Sequence, residues 1–154
     1  MILVDKEIKD LVKETEIITN FNENQLGSIS YDIIIDKFII NEEEVDKQEI
    51  LLKPSKFIYI KTKESLNMPN NLCSKVIEKN SLMRKGLKVD GPLYQPGHKT
   101  SIFLRVININ DSDILLTKNM KIAQLIFLRL NQIPNNTYDK QENAHYNNEN
   151  TFRN

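Results

Sequence analysis

Short apolar runs separated by turn residues recur along most of the chain. Many of them are β-branched, and a run such as Ile33, Ile34 and Ile35 favours a strand. We predict strands at 16–19, 28–35, 38–40, 50–52, 57–62, 72–77, 99–108, 114–117 and 121–130. Short strands at regular intervals, with turn residues between them, are typical of an all-β sandwich or barrel.

One helix is predicted near the start of the chain, over Asp5–Thr15. Ile8, Leu11 and Val12 share one face at helical spacing, and Asp5 can cap the first turn. A single helical turn is also predicted at 81–85. We expect the first helix to pack on the body of the domain and to take no part in chemistry.

The composition changes after Leu130, where asparagine becomes frequent and aliphatic residues become rare. A segment of this composition cannot form a core of its own. We therefore divide the chain into a β domain at 1–130 and a C-terminal tail at 131–154. The tail is either disordered or ordered only against something else. Loops are predicted for the acidic run 42–44, for 63–71 and for 88–93.

Length and charge restrict the class of protein. A chain of 154 residues suits one domain with a real core. Its 21 basic and 21 acidic residues give a formal net charge of zero, which argues against a nucleic-acid polymer or a membrane as partner. Cys73 is the single cysteine, so no intrachain disulfide is expected. No apolar run approaches the roughly 20 residues of a membrane span, and we expect a cytoplasmic protein.

The segment N-S-L-M-R-K-G at 80–86 has the residue types of a phosphate cradle. A hydroxyl and free backbone N–H groups at the start of a helical turn bind phosphate oxygens, and an arginine supplies a planar fork for them. Ser81 and Arg84 are the candidates, with Lys79 or Lys85 beside them. A capped surface turn with exposed basic residues would have the same sequence.

Two further polar positions lie in apolar or turn contexts. Gln124 is a lone amide inside an apolar strand, and such an amide needs a partner, either backbone or ligand. His98 follows a Pro-Gly turn, and His145 is distant from it in sequence. Two histidines without a carboxylate framework do not make a catalytic metal site, and the zinc deaminase pattern is missing. We expect no metal site formed by side chains.

Several ordered motifs together resemble the dCTP deaminase and dUTPase superfamily over nearly the whole chain. The opening M-I-L-V-D-K-E-I-K-D-L-V resembles its first helix, and S-Y-D-I at 30–33 resembles its early strand. N-S-L-M-R-K-G-L resembles its phosphate motif, and N-M-K-I-A-Q-L resembles its closing motif. The tail T-Y-D-K-Q-E-N-A-H-Y-N-N-E-N resembles the C-terminal segment of the deaminase branch.

This resemblance implies a fold and a ligand class. The fold would be a distorted β-barrel or jelly roll of the dUTPase type, assembled as a homotrimer with sites between subunits. The ligand would be a deoxyribonucleoside triphosphate, with Mg²⁺ held by its phosphates and no zinc. By position, Ser81 and Arg84 would hold phosphate, and Gln124 would contact the phosphates or brace the site. The tail around Tyr146 would close over the nucleotide.

Two positions depart from the superfamily pattern where its chemistry is carried. Arg105 stands where the deaminases have a glutamate, and an arginine cannot act as a general base because it stays protonated. Gln95 stands where the superfamily has the aspartate of its Ile-Asp-Pro-Gly turn, which in dUTPases positions the hydrolytic water. The spacing between the two positions is intact, so neither mismatch comes from a shifted alignment. Asp90 is the nearby carboxylate that remains as an alternative to the missing catalytic carboxylates.

These features favour a protein that binds a nucleotide, or a nucleotide-derived small molecule, without dCTP deaminase or dUTPase turnover. Such a protein would sequester or sense its ligand. Arg105 would pair with an additional phosphate or carboxylate of that ligand, and Gln95 would line the same site. Two alternatives remain: an active deaminase or nucleotide hydrolase with a relocated base, Asp90 or His98, and a structural or protein-binding module with a vestigial pocket.

Overall fold

The structure of the chain is a computed structural model that describes residues 1–153. The predicted tail ends at Asn154, which lies outside the described residues. The elements are α1 (Asp5–Thr15), β1 (Tyr31–Ile40), β2 (Glu43–Val45), β3 (Glu49–Leu52), β4 (Phe57–Asn67), β5 (Leu72–Glu78), α2 (Asn80–Met83), β6 (Leu87–Asp90), β7 (Leu93–Tyr94), β8 (Lys99–Asn108), β9 (Ile114–Thr117) and β10 (Lys121–Arg129), with 3₁₀ turns at Glu23–Gln25 and Tyr138–Lys140. The predicted all-β fold with a short N-terminal helix is confirmed.

Most of the strands form one curled antiparallel sheet. Its order is β6-β8-β4-β1-β10-β5-β7, with β2 paired to the end of β1, while β3 and β9 form a separate ribbon. Alternate residues of the strands point into a shared core. On β8, for example, Ile102, Leu104 and Val106 are buried, whereas Arg105 between them is exposed.

The two ends of this sheet are neighbours in sequence. β6 ends at Asp90 and β7 begins at Leu93, so only Gly91 and Pro92 join the first strand of the sheet to the last. The three residue steps from Asp90 to Leu93 span at most about 11 Å. The sheet must therefore curl until its ends almost meet, and we call this link at 91–92 the seam.

A bent strand, β1, connects the two halves of the sheet. Its first half pairs with β10 and its second half with β4 and β2. The register shifts at Ile33/Ile34, and the Ile34 amide donates to Glu64 Oε2 at 3.2 Å. Glu64 is buried and its other oxygen accepts from Gln25 Nε2 at 2.7 Å. A side chain thus satisfies an amide that the bulge removes from the strand ladder.

Several predicted boundaries were wrong, each for a local reason. The predicted strands 28–35 and 38–40 are one strand, because β-bulges bend the chain without ending it. The predicted loop 42–44 contributes to β2, because Asn41 and Glu42 adopt positive φ angles and turn the chain back onto β1. The predicted loop 88–93 contains most of β6 and the start of β7.

The N-terminal segment packs on the sheet as expected, with two differences of detail. The N-cap of α1 is Val4, whose amide donates to Glu7 Oε2 at 3.1 Å, so Asp5 is the first helical residue and not the cap. The predicted strand at 16–19 is reduced to one bridge between Ile18 and Leu66. Over residues 1–153, no helix is long and apolar enough to cross a membrane.

Gly91 at the seam has no space for a side chain. A Cβ there would lie 2.5 Å from Val76 Cγ2 and 2.8 Å from Leu104 Cδ2. We expect Gly91→Ala to lower the free energy of unfolding by about 1–3 kcal/mol, because the buried side chains of Val76 on β5 and Leu104 on β8 would have to move away from the new Cβ. Urea unfolding at equilibrium measures this.

Gly27→Ala is the matched control for Gly91→Ala. The nearest neighbour of its new Cβ would be Ser30 Oγ at 3.2 Å, a contact that a small side-chain shift relieves. Equal losses of stability in the two variants would contradict a tight seam.

Candidate functional site

A cleft of about 570 Å³ lies beside the seam, between the outer face of β8 and the C-terminal segment. Its lining residues come from β4, the end of β6, β7 with the turn that follows it, β8 and the tail. They are Tyr59, Asp90, Gly91, Pro92, Leu93, Tyr94, Gln95, His98, Thr100, Ser101, Phe103, Leu104, Arg105, Tyr138, Tyr146, Glu149, Phe152 and Arg153.

Five residues singled out from the sequence line this cleft, namely His98 and the following four. Asp90 ends β6, Arg105 lies on β8, Gln95 begins the turn after β7, and Tyr146 comes from the tail. The pairing of β6 with β8 places Asp90 directly opposite Arg105. The antiparallel register therefore brings together residues that are 15 positions apart.

Asp90 and Arg105 form an ion pair across the two strands. Arg105 donates to Asp90 Oδ2 from Nε at 3.1 Å and from Nη2 at 2.7 Å. Lys88 Nζ lies 3.4 Å from the other oxygen, Asp90 Oδ1. The guanidinium also lies over the ring of Phe57, 6.0 Å from its centroid. Arg105, which we expected to pair with the ligand, is therefore already paired with a carboxylate of the same chain.

This pairing affects the chemistry of Asp90. The hydrogen bonds from Arg105 lower the pKa of the Asp90 carboxyl below its usual value, with the Lys88 charge adding to the effect. A carboxylate with a lowered pKa is a weaker proton acceptor. The geometry thus makes Asp90 a poor general base while Arg105 is in place.

Ser81, Arg84 and Gln124 lie outside the lining of this cleft. Ser81 and Arg84 are exposed at α2, and Arg84 Nε donates to Asn80 Oδ1 at 3.2 Å. Gln124 is half-buried on β10, and its Nε2 donates to Glu78 O at 3.2 Å. The amide has a backbone partner, one of the two kinds expected from the sequence.

Basic residues flank this second group. Lys79 pairs with Asp32, the strand neighbour of Gln124, and Lys121 Nζ lies 3.2 Å from Asp32 Oδ2. Within one chain, the predicted phosphate residues and the cleft residues form two separate groups.

His98 is buried in the cleft wall and connects it to the tail. Its Nε2 lies 3.0 Å from Tyr146 O, and its ring centroid is 4.1 Å from that of Tyr138. Burial lowers the pKa of the His98 imidazole and raises the pKa of the Tyr94 hydroxyl beside it. In the described part of the chain, His98 Nδ1 and Tyr94 Oη are buried without a hydrogen-bond partner.

Besides Tyr146, the tail contributes residues that the sequence did not suggest, among them Glu149 and Phe152. Glu149 is only 6% exposed, and burial raises the pKa of its carboxyl. Phe152 packs on Tyr59 and Phe103. Both come from an asparagine-rich segment with no apolar periodicity, so no pattern pointed to them. Among residues 1–153, no three His, Cys, Asp or Glu side chains cluster in a way that could hold a metal ion.

Comparison with known proteins gives consistent matches. The family model described as dCTP deaminase-like matches residues 34–130. A protein named dCTP deaminase, dUMP-forming, from Hydrogenobaculum sp. is 30% identical over 151 residues, covering 87% of this chain and 85% of that protein. The dCTP deaminase of Buchnera aphidicola is 31% identical over 127 residues, covering 81% of this chain and 64% of that protein.

Solved structures show the same fold. The 2′-deoxycytidine 5′-triphosphate deaminase from Agrobacterium tumefaciens superposes with a TM-score of 0.70 at 16% identity over 82% of this chain, which spans about half of that protein (47%). The EIAV dUTPase superposes with a TM-score of 0.51 at 23% identity, covering 67% of this chain and 91% of that one. At such identities the likeness concerns the fold alone.

His98 should make the stability of the tail depend on pH. An unfolded histidine titrates near pH 6.5, whereas the buried ring keeps its neutral form to lower pH. The free energy of unfolding therefore has its full value, as far as His98 is concerned, above the unfolded pKa, and it decreases as the pH falls below about 6.5. We expect the melting temperature of the wild type to fall more steeply from pH 7.5 to 5.5 than that of His98→Phe, which cannot titrate.

Glu149 acts in the opposite sense, because its raised pKa favours the folded state on protonation. Its stabilising effect begins as the pH falls through the raised folded pKa and is complete below the ordinary glutamate pKa of about 4.3. Parallel curves for the wild type and His98→Phe would show that His98 does not couple folding to pH.

Proposed function

The chain belongs to the dCTP deaminase-like family, and on this premise we propose that it binds a nucleotide, or a nucleotide-derived small molecule, without dCTP deaminase or dUTPase turnover. Its role would be to sequester or sense that ligand. The observation that carries the proposal is the Asp90–Arg105 ion pair inside the cleft. It occupies the position where the resemblance expects a free glutamate.

Hydrolytic deamination needs a group that takes a proton from the attacking water. Arg105 cannot do so at any relevant pH. Asp90 is bound by that same arginine, and its pKa is lowered. His98, the other residue considered as a relocated base, has Nε2 against Tyr146 O and Nδ1 buried. These contacts support binding without chemistry.

Gln95 supports the same conclusion for nucleotide hydrolysis. It is exposed and lines the cleft, at the position where the resemblance expects an aspartate that positions water. An amide can hold a water molecule through a hydrogen bond, but it carries no negative charge and accepts a proton poorly. The two departures from the family pattern therefore lie in one cleft and weaken both family activities.

The phosphate end of the ligand is assigned to Ser81, Arg84 and Gln124. These residues form a group apart from the cleft in a single chain, with Lys79 and Lys121 nearby. We propose that a homotrimer joins the group of one subunit to the cleft of the next, as the family resemblance implies. Mg²⁺ enters this proposal only as an ion held by the phosphates of the ligand. A cytoplasmic location remains a prediction from the sequence.

The proposal is tested by binding and turnover on the same protein. We would measure thermal shifts with dCTP, dUTP, dTTP, ATP, cyclic nucleotides and ADP-ribose-type nucleotides. A ligand at 100 times its dissociation constant stabilises the folded state by about 2.7 kcal/mol. We expect at least one such shift. We also expect dCTP and dUTP to be recovered unchanged after incubation with excess protein, without release of ammonia or pyrophosphate.

Arg84→Ala tests the assignment of the phosphate end. Loss of a charge-assisted hydrogen bond costs roughly 1.5–3 kcal/mol, or about tenfold to a hundredfold in affinity. Lys13→Ala is the control, because it removes an exposed charge on α1, outside the assigned phosphate group, and should keep most of the affinity. Product from dCTP or dUTP would establish an active enzyme, and the absence of any thermal shift would favour a module with a vestigial pocket.

A further inference from the structure

The ring of Phe152 lies on an aromatic surface of the cleft. Its centroid is 5.0 Å from that of Tyr59 at 37°, and 5.5 Å from that of Phe103 at 63°. Tyr59 and Phe103 lie on the paired strands β4 and β8, and both face outward. We call this surface, made by Tyr59 and Phe103, the aromatic slot. Its geometry suits a flat ring, because offset and edge-to-face contacts occur at these separations.

The segment before Phe152 is held mainly through backbone groups. It lies parallel to the start of β8: the Asn148 amide donates to Lys99 O at 2.6 Å, and the Ser101 amide donates to Glu149 O at 2.7 Å. Lys61 Nζ donates to Asn150 O at 2.6 Å. Residues 148–152 therefore lie along a free edge of β8 and end with a ring in the slot, and we call this segment the strap.

We propose that Phe152 is an internal ligand of the cleft: its ring occupies the aromatic slot that a planar ring of an incoming ligand would take, so the strap must leave before that ring can bind. This inference rests on the proposed nucleotide-binding function and names its regulation. The inference also predicts the direction in which the tail changes nucleotide affinity. A tail that closes over a bound nucleotide strengthens binding, whereas a tail that fills the slot weakens it.

The strap is built in a way that allows release. Its docking buries the Glu149 carboxylate, whose Oε1 accepts from the Arg153 amide at 3.3 Å. Burial raises the pKa of this carboxyl, so removal of the charge from water opposes docking at neutral pH. Few apolar side chains are buried in exchange. A ligand with a stacking ring can therefore compete with the strap.

Phe152→Ala in the full chain is the first test. The apparent affinity is proportional to the fraction of molecules in which the site is free. Emptying the slot should therefore tighten binding of the nucleotide found by thermal shift. We expect roughly tenfold tighter binding by calorimetry, as loss of one aromatic contact pair suggests. Weaker or unchanged binding would overturn the proposal. Phe152→Leu, a more conservative change, should give an intermediate affinity.

Ile133→Ala is the matched control. Ile133 is an exposed apolar residue of the same tail, and it does not line the cleft. Its replacement should leave nucleotide affinity unchanged. A similar gain in Ile133→Ala would mean that any loosening of the tail, and not the empty slot, improves binding.

Hydrogen exchange of the wild type tests independently whether a bound nucleotide displaces the strap. The Ser101 amide is bonded to the strap, so its exchange rate reports whether the strap is docked. Under the proposal, a saturating nucleotide speeds this exchange because the strap is displaced. Slower exchange in the complex would show a closing lid and would overturn the proposal.

A small planar probe separates this inference from the proposed function. If no nucleotide binds the wild type or Phe152→Ala, the nucleotide-binding proposal fails. Indole at millimolar concentration then tests the slot by itself. We expect it to shift the amide resonances of Tyr59 and Phe103 in Phe152→Ala and not in the wild type. No shift in the variant, or equal shifts in both proteins, would overturn the role of Phe152.

Discussion

A link of two residues between opposite ends of the main sheet determines the shape of the molecule. Because 91–92 must join β6 to β7, the sheet closes on itself, and side chains from β5 and β8 meet at Gly91. The cleft lies beside this closure, since residues that flank the seam contribute side chains to its lining. Asp90 precedes it, and Gln95 follows shortly after it.

The pleat of β8 then decides which chemistry faces the cleft. Its residues alternate, so that Ser101, Phe103 and Arg105 lie on the outer side, while Leu104 and its even-numbered neighbours fill the core. This part of the site could be predicted from the sequence, since alternation and motif spacing are local properties. The exchange of a glutamate for Arg105 was visible for the same reason. Its partner was not, because the β6–β8 register depends on β6, most of which the sequence predicts as part of a loop.

The missed elements share a physical cause. β6 and β7 are short and are separated by Gly91 and Pro92, so their composition resembles a turn, and pairing with longer strands stabilises them. The tail was harder still to predict. Its docking uses backbone hydrogen bonds to Lys99 and Ser101, and these depend on an exposed strand edge more than on side-chain type. Sequence patterns record side chains, so contacts made by the main chain leave little trace in them.

The strap along β8 also covers part of a strand edge. β4 covers one side of β8 at Lys99 and Ser101, and β6 reaches only the later part of the strand. Without the strap, the opposite edge there would present unpaired N–H and C=O groups, which are a template for strands of other molecules. The same segment that limits access to the cleft thus acts as a guard against edge-to-edge aggregation. Selection on the tail would then reflect solubility as well as ligand binding.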